Sequence, residues 1–160
     1  MKWMKLTACV AILFSFFIVS CELDDITEDG FFVGSALPMT GAQETPPVAT
    51  AATGTIDATY SIYTKVVTFT VNWSGLSGLP VAAHVHGTAT KGYAAAVVQP
   101  MWTAANAVLY PASGKYTGSM FVDGVKIKEE HILAGEYYIN LHTAANPGGE
   151  IRGQLILTRQ

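Results

Sequence analysis

The chain has 160 residues, half of them hydrophobic, and nine basic side chains against twelve acidic ones give it a net charge of −3. This length is enough for one domain with a buried core. The charge balance excludes the strongly basic surface by which proteins bind nucleic acid, so no nucleic-acid partner is expected.

An export signal is predicted at the N-terminus. Two lysines precede an uncharged, mostly apolar run at residues 7–19. A helix needs roughly 20 apolar residues to cross a bilayer, so this run is short for a span and typical of a signal peptide. It ends in Ile18-Val19-Ser20-Cys21, which resembles the lipobox of bacterial lipoproteins. We predict a lipoprotein signal peptide at residues 1–20 and attachment of acyl chains, such as palmitate, to Cys21. The alternative is an ordinary secretory signal or an uncleaved anchor with an incidental cysteine.

An acidic segment follows Cys21 directly. Five acidic residues lie between positions 22 and 29, whereas seven basic and seven acidic side chains balance from Gly30 onward. We interpret residues 21–33 as the lipidated cysteine and an acidic tether. Such a segment resembles the surface-export signal of some bacterial lipoproteins, and it suits a solvated linker equally well. Because two or more acyl chains hold a protein stably at a membrane, we expect a lipid-anchored protein of the cell envelope, at the outer membrane or cell surface.

The rest of the chain is typical of β-structure. The clearest strands are predicted at residues 53–63 and 65–73, and the second alternates apolar with polar side chains as a half-buried strand does. Further strands are predicted at 81–86, 94–100, 115–122, 136–142 and 150–158, with one helical turn at 126–133. Short strands separated by Gly and Pro turns favour an all-β fold, an antiparallel sandwich or barrel in a single domain.

Three of the four histidines are placed at the ends of predicted strands. His84 and His86 are two residues apart, so they share one face of a strand, and His142 ends another strand. Neutral imidazoles bind both Zn²⁺ and Cu²⁺, which makes these three a candidate mononuclear metal site. The alternative is a hydrogen-bonded histidine network that holds loops to the sheet. His131, in the polar helical turn, is predicted to be a solvated surface residue.

Glu44, Asn140 and Glu150 are candidates for a fourth ligand or a second shell around the histidines, and Arg152 is a candidate for the second shell. Asn140 shares the predicted face of His142. Glu150 and Arg152, two residues apart, could form an ion pair with each other or extend towards the histidines. Glu44 could bind a histidine or Arg152 by a hydrogen bond, or be exposed.

No catalytic residues are assigned from the sequence. A nucleophile elbow, a glycine-rich phosphate loop, paired catalytic carboxylates and a Cys-x-x-Cys motif are all missing from it. Trp102, Tyr110 and Tyr116 are predicted to be core residues, with an exposed platform for sugar or protein as the alternative. The sequence therefore favours a non-enzymatic binding or structural module over an enzyme.

Four motifs in order resemble the CHRD domain, a family named after chordin and also found in bacterial exported proteins. They are GAQETPP at 41–47, AHVHG at 83–87, AGEYYINLHT at 134–143 and NPGGEIRGQ at 146–154. The resemblance extends from about Gly34 to the C-terminus, so the domain is placed at residues 34–160. It implies an immunoglobulin-like or superoxide-dismutase-like β-sandwich and makes the three histidines natural site candidates. The expected partner is a protein, a matrix component or a small ligand.

A weaker similarity links His84-Val85-His86 to the copper-binding strand of Cu/Zn superoxide dismutases, and Arg152 to their anion-guiding arginine. That dinuclear site needs further histidines and an aspartate, and those enzymes carry a structural disulfide. This chain has four histidines and two cysteines, of which Cys9 leaves with the signal and Cys21 carries lipid. One Zn²⁺ or Cu²⁺ ion is therefore the most that this similarity supports, and dismutase activity is not expected.

Overall fold

The computed structural model describes residues 30–102, 105 and 110–160. The predicted signal peptide, the predicted lipidation site at Cys21 and the acidic residues up to position 29 lie outside these described residues. Within the described ranges, no helix is both long and apolar enough to cross a membrane.

The described chain is folded almost entirely into antiparallel β-strands, which confirms the predicted all-β class. The elements are β1 (Phe31–Thr40), a 3-10 turn (Gly41–Gln43), β2 (Thr53–Ser61), β3 (Val66–Ser74), β4 (Pro80–Gly87), β5 (Val97–Trp102), β6 (Gly114–Phe121), helix α1 (Glu129–Leu133), β7 (Tyr137–Thr143), β8 (Ile151–Gln154) and β9 (Thr158–Arg159). The strands form one sheet in the order β5-β4-β7-β8-β1-β2-β3-β6, with β9 beside β1. The last strand predicted from the sequence, 150–158, is divided into β8 and the short β9.

The sheet curls so that its two outermost strands approach each other. Gln99 Nε2 on β5 donates a hydrogen bond of 2.9 Å to the carbonyl of Ser119 on β6, and the Tyr116 hydroxyl donates to the carbonyl of Met101 at 3.2 Å. The concave face encloses one continuous core. The predicted sandwich is thus a single curled sheet with a barrel-like shape.

Strand β1 begins within the segment 21–33 that was predicted to be a tether. It starts at Phe31, and its pairing with β2 shifts register between Gly34 and Leu37. Ala36 in this bulge has a φ of 48°, and its N–H donates to Asp57 Oδ1 at 2.8 Å. A bulge interrupts the alternation of side chains between the two faces, so the sequence of β1 lacks the period-2 pattern of the other strands.

The large aromatic residues pack into the core. Trp102 is 2% exposed, and its ring stacks on Tyr110 with centroids 4.4 Å apart. Trp73 and Tyr116 pack against the same indole. This supports the core interpretation of these residues over an exposed binding platform.

Candidate metal centre

Three neighbouring strands, β4, β7 and β8, place five of the seven predicted site residues on one face of the sheet. In the register, His84 is opposite Asn140, His86 is opposite Tyr138, and Ala82 is opposite His142. Across the other edge of β7, Asn140 is opposite Arg152 and Tyr138 is opposite Gln154. We call these seven side chains the polar face: His84, His86, Tyr138, Asn140, His142, Arg152 and Gln154. Their sequence neighbours Val85, Ile139 and Leu141 point to the other side and join the core, as strand alternation requires.

The structure brings the three predicted histidines together. One ring nitrogen from each can be chosen so that the three atoms lie within 4.8 Å of one another. His84 Nδ1 is 2.9 Å from His142 Nε2. His86 and His142 are buried, whereas His84 is half-buried. The His84 side is therefore the side from which solvent reaches the cluster.

Backbone carbonyls orient two of the imidazole rings. His86 Nδ1 is 2.9 Å from the carbonyl of Ala95, and His142 Nδ1 is 3.0 Å from the carbonyl of Pro147. A carbonyl only accepts, so Nδ1 carries the proton in both rings and Nε2 carries the lone pair. His86 Nε2 is buried and has no hydrogen bond of normal geometry, although Asn140 lies beside the ring. Fixing the tautomer through the second ring nitrogen is how proteins commonly prepare a metal-binding histidine.

Burial keeps the cluster neutral. It lowers the pKa of His84 to about 4, with the neighbouring His142 and His86 acting in the same direction. Burial also lowers the pKa of His86 and that of His142, against the opposing hydrogen bonds to Ala95 and Pro147 respectively. Three neutral imidazoles at physiological pH are three available ligands, because a protonated ring cannot bind a cation.

Asn140 lies beside His86, and Glu44 lies beside Asn140. Burial raises the pKa of Glu44, while a hydrogen bond from Asn140 and the charge of Arg152 act in the opposite direction. Asn140 also adjoins His86 and raises its pKa. Even so, Glu44 Oε1 and Asn140 Oδ1 have no hydrogen-bond partner of normal geometry. Buried oxygens rarely remain unsatisfied, so this pair is unusual among the buried polar groups of the site.

Arg152 anchors the loops that cover the polar face. Its guanidinium, 1% exposed, donates to the carbonyl of Tyr93 and to Gln154 Oε1, both at 2.8 Å. Its Cζ lies 3.4 Å from the centre of the Tyr138 ring. The Tyr138 ring in turn stacks parallel to His86, with centroids 4.8 Å apart. The stack therefore fixes the plane of the His86 imidazole.

Tyr138 was not among the site residues predicted from the sequence. The signal was present, because Tyr138, Asn140 and His142 alternate along β7 and so share a face. A tyrosine in a strand is usually explained by packing alone, so this residue by itself does not indicate a site.

Glu150, predicted as a fourth ligand or second-shell residue, contacts a different set of groups. Its carboxylate accepts hydrogen bonds from the Thr50 hydroxyl, the Ser77 N–H and hydroxyl, and the Thr143 hydroxyl, at 2.6–2.9 Å. Although burial opposes it, the hydrogen bonds from Ser77, Thr143 and Thr50 lower the pKa of Glu150 to about 2. Among the described residues no ion pair joins it to Arg152. Glu150 thus joins the loops of Thr50 and Ser77 to each other, beside the polar face.

His131, the fourth histidine, lies apart from the cluster. It belongs to α1, and its Nδ1 is 2.6 Å from Glu136 Oε2. Its side chain is 33% exposed, so it is a partly solvated residue, close to the prediction, with a local acidic partner.

Comparison with known families matches residues 36–155 to the CHRD domain. Among curated proteins and solved structures, the chain has no significant match. The matched segment includes all three histidines of the cluster and most of the curled sheet. It agrees with the four motifs from which the resemblance was predicted.

Proposed function

Because the chain belongs to the CHRD domain family, we propose that it is a non-enzymatic module of the cell envelope that binds one Zn²⁺ or Cu²⁺ ion through His84, His86 and His142. The observation that carries the proposal is the buried Nε2 of His86, which has no hydrogen bond of normal geometry. One ring nitrogen from each of the three histidines lies within 4.8 Å of the other two.

A histidine network that only holds loops to the sheet would explain less of this arrangement. In such a network each buried ring nitrogen would be paired, because leaving a buried acceptor unsatisfied costs roughly 1–3 kcal/mol. The His84–His142 pair and the two backbone contacts satisfy that description. His86 Nε2 has Asn140 beside its ring but no bond of normal geometry, and a bound cation would supply a partner.

The donor set suits a borderline transition metal. Imidazole nitrogens bind Zn²⁺ and Cu²⁺, whereas Ca²⁺ and Mg²⁺ select oxygen ligands. At metal–nitrogen distances of about 2.0–2.1 Å, two ligands of a tetrahedral site stand about 3.3 Å apart. The ring nitrogens of the three histidines now lie up to 4.8 Å apart. Shifts of about 1 Å in the rings would bring them to the tetrahedral spacing. The fourth position would face solvent beside His84.

Metal analysis of the purified mature chain tests the proposal. Cys21→Ser is introduced first, because it removes the one thiol of residues 21–160, which would otherwise compete with the histidines for the metal. We expect one equivalent of Zn²⁺ or Cu²⁺ by elemental analysis and calorimetric titration. We also expect a rise in melting temperature on metal addition that a chelator reverses, because a ligand bound only to the native state stabilises it.

Two matched variants separate the cluster from adventitious histidine binding. His84→Gln combined with His142→Gln should abolish the stoichiometric binding. His131→Gln, at the one histidine outside the cluster, should leave it unchanged. The proposal is refuted if the Cys21→Ser protein binds no metal, or if both variants weaken binding equally.

The location of the module is part of the proposal. The apolar run at residues 7–19 and the Ile18-Val19-Ser20-Cys21 sequence support cleavage before Cys21 and attachment of lipid there. Replacing Cys21 by Ser should abolish metabolic labelling with palmitate and release the protein from the membrane fraction. Retained labelling of this variant would rule out Cys21 as the acceptor.

A further inference from the structure

Exposed apolar side chains are gathered at the end of the sheet where β1 begins. In the register, Phe31 on β1 lies opposite Ser61 on β2, Ser61 opposite Val66 on β3, and Val66 opposite Phe121 on β6. Tyr63, in the β2–β3 turn, packs on Phe31 with ring centroids 6.3 Å apart. The side chains of Tyr63, Phe121 and Val125 are 54%, 60% and 81% exposed. We call this group the apolar rim: Phe31, Tyr63, Val66, Phe121 and Val125.

The chain enters the domain at this rim. Gly30 immediately precedes β1, and a Cβ built on it would lie 1.9 Å from the Tyr63 ring, so the entering backbone lies directly against Tyr63. Only eight residues lie between Cys21 and Gly30, so nine residue-to-residue steps join them. An extended chain spans at most 3.3–3.6 Å per residue, so lipid on Cys21 would keep the rim within about 30 Å of the bilayer surface.

Two of the lysines near the rim have acidic partners. Lys65 in the β2–β3 turn forms a salt bridge with Glu129 of α1, and Lys128 Nζ lies 3.9 Å from Glu130 Oε1. Lys126, exposed beside Val125, has no ion pair among the described residues, so the charge of the rim is small. Aromatic side chains favour the membrane interface, and binding there scales with the apolar area that is buried.

We propose that the apolar rim is a membrane-contact surface, on which Phe121 and Val125 enter the interfacial region of the bilayer. This inference rests on the proposed anchor at Cys21. The lipid supplies attachment, and the rim sets the orientation, so that the opposite end of the sheet, with the β3–β4 connection, points away from the membrane.

Quenching of an introduced tryptophan by brominated lipid tests the orientation. The chain from Cys21 to Gln160, which contains every described residue, is coupled through its thiol to a maleimide phospholipid in phosphatidylcholine vesicles. The anchor is thereby present whether or not cells acylate Cys21. Phe121→Trp places the probe on the rim, and Leu79→Trp places it in the β3–β4 connection, where Leu79 is 54% exposed. Trp73 and Trp102 are at most 3% exposed, so they add a constant signal that lipid does not reach.

We expect brominated lipid to quench the Phe121→Trp probe at least twofold more than the Leu79→Trp probe, with a blue-shifted emission for the former only. Adding Val125→Asp should reduce the quenching at position 121, and raising the salt concentration should not. Equal quenching at both positions, stronger quenching at position 79, or quenching that salt abolishes would overturn the proposal. Failure of Cys21 acylation in cells would instead refute the anchor and leave the vesicle result intact, so the two failures are distinguishable.

Discussion

His84 Nδ1 lies 2.9 Å from His142 Nε2, which joins β4 to β7 through two side chains that are diagonal neighbours in the register. His142 uses its Nδ1 proton on the carbonyl of Pro147, so Nε2 accepts and His84 Nδ1 donates. If both nitrogens bind one ion, His84 has to shift to its other tautomer, with the proton on Nε2. The half-buried position of His84 permits this shift, because its Nε2–H then reaches solvent.

Acid should destabilise the metal-free protein in a defined window. The pKa of His84 is about 4 in the folded chain against 6.5 for an ordinary histidine, and those of His86 and His142 are also lowered. The unfolded chain therefore binds more protons than the folded one below about pH 6.5, and stability rises with pH wherever that holds. We expect the free energy of unfolding to fall from about pH 6.5 to about pH 4 and to be insensitive to these groups above pH 6.5.

Urea unfolding in the presence of a chelator measures this dependence. The double variant His84→Asn/His142→Asn should show a shallower slope in the same window. A double variant whose stability falls with acid as steeply as that of the wild type would contradict the assignment to the cluster.

Replacing Glu150 by Gln should lower the free energy of unfolding by about 2–3 kcal/mol. Hydrogen bonds to a charged acceptor contribute about 1.5–3 kcal/mol, and this fully buried carboxylate accepts four from Thr50, Ser77 and Thr143. The stabilisation from its pKa of about 2 is present above the ordinary value of 4.5 and is lost as the pH falls from there towards 2. The acid sensitivity of Glu150 thus lies below most of the histidine window.

Glu130→Gln is the matched control for this variant. Its side chain is 71% exposed, so the expected change is within about 0.5 kcal/mol. Metal stoichiometry should be unchanged in folded Glu150→Gln protein, because the carboxylate is engaged away from the histidines. A folded Glu150→Gln variant that no longer binds metal would instead support Glu150 as a ligand.

Much of the fold and the centre of the site could be predicted from the sequence. The alternation along β3 predicts a half-buried strand, and the two-residue spacing of His84 and His86 places both on one face. Both predictions depend only on residues that are close in the sequence. The partnership with His142 depends on β4 pairing with β7; the family resemblance pointed to the three histidines but not to this pairing.

Contacts made by loops could not be predicted in this way. Glu150 is bound by Thr50 and Ser77, which are far from it in sequence and lie outside the strands, so no periodicity points to them. The bulge at Gly34–Leu37 likewise hid β1, because it removes the alternation by which strands are identified. The place of Arg152 against Tyr138 depends on the side-chain conformations of two strands, which the register alone does not fix.

Gly149→Ala should destabilise the protein by about 1–3 kcal/mol. Gly149 has a φ of +127°, which is unfavourable for any residue with a Cβ, and a Cβ there would lie 2.3 Å from Glu44 Oε1 and 2.7 Å from Asn140 Nδ2. Gly148→Ala is the adjacent control, since nothing lies within 4 Å of its Cβ position. Thermal melts of the two variants should differ by several degrees, and equal melting temperatures would show that the close approach to Glu44 relaxes without cost.

Arg152→Lys should cost about 2–3 kcal/mol of stability and also weaken metal binding. Lysine lacks the planar fork of arginine, so it would lose contacts to Tyr93 and Gln154 and the stacking on Tyr138. The Tyr138 ring stacks on the His86 ring and so fixes its orientation. Changes in residues that orient a metal ligand commonly reduce metal affinity by about 10–100-fold. Arg159→Lys is the control, because Arg159 is exposed and its Cζ lies 5.5 Å from the Phe32 ring centre. Urea unfolding and metal titration of both variants measure the two effects: Arg152→Lys should lose stability and metal affinity, and Arg159→Lys should lose neither. A stability loss in Arg152→Lys with unchanged metal affinity would show that Arg152 only holds the loops in place.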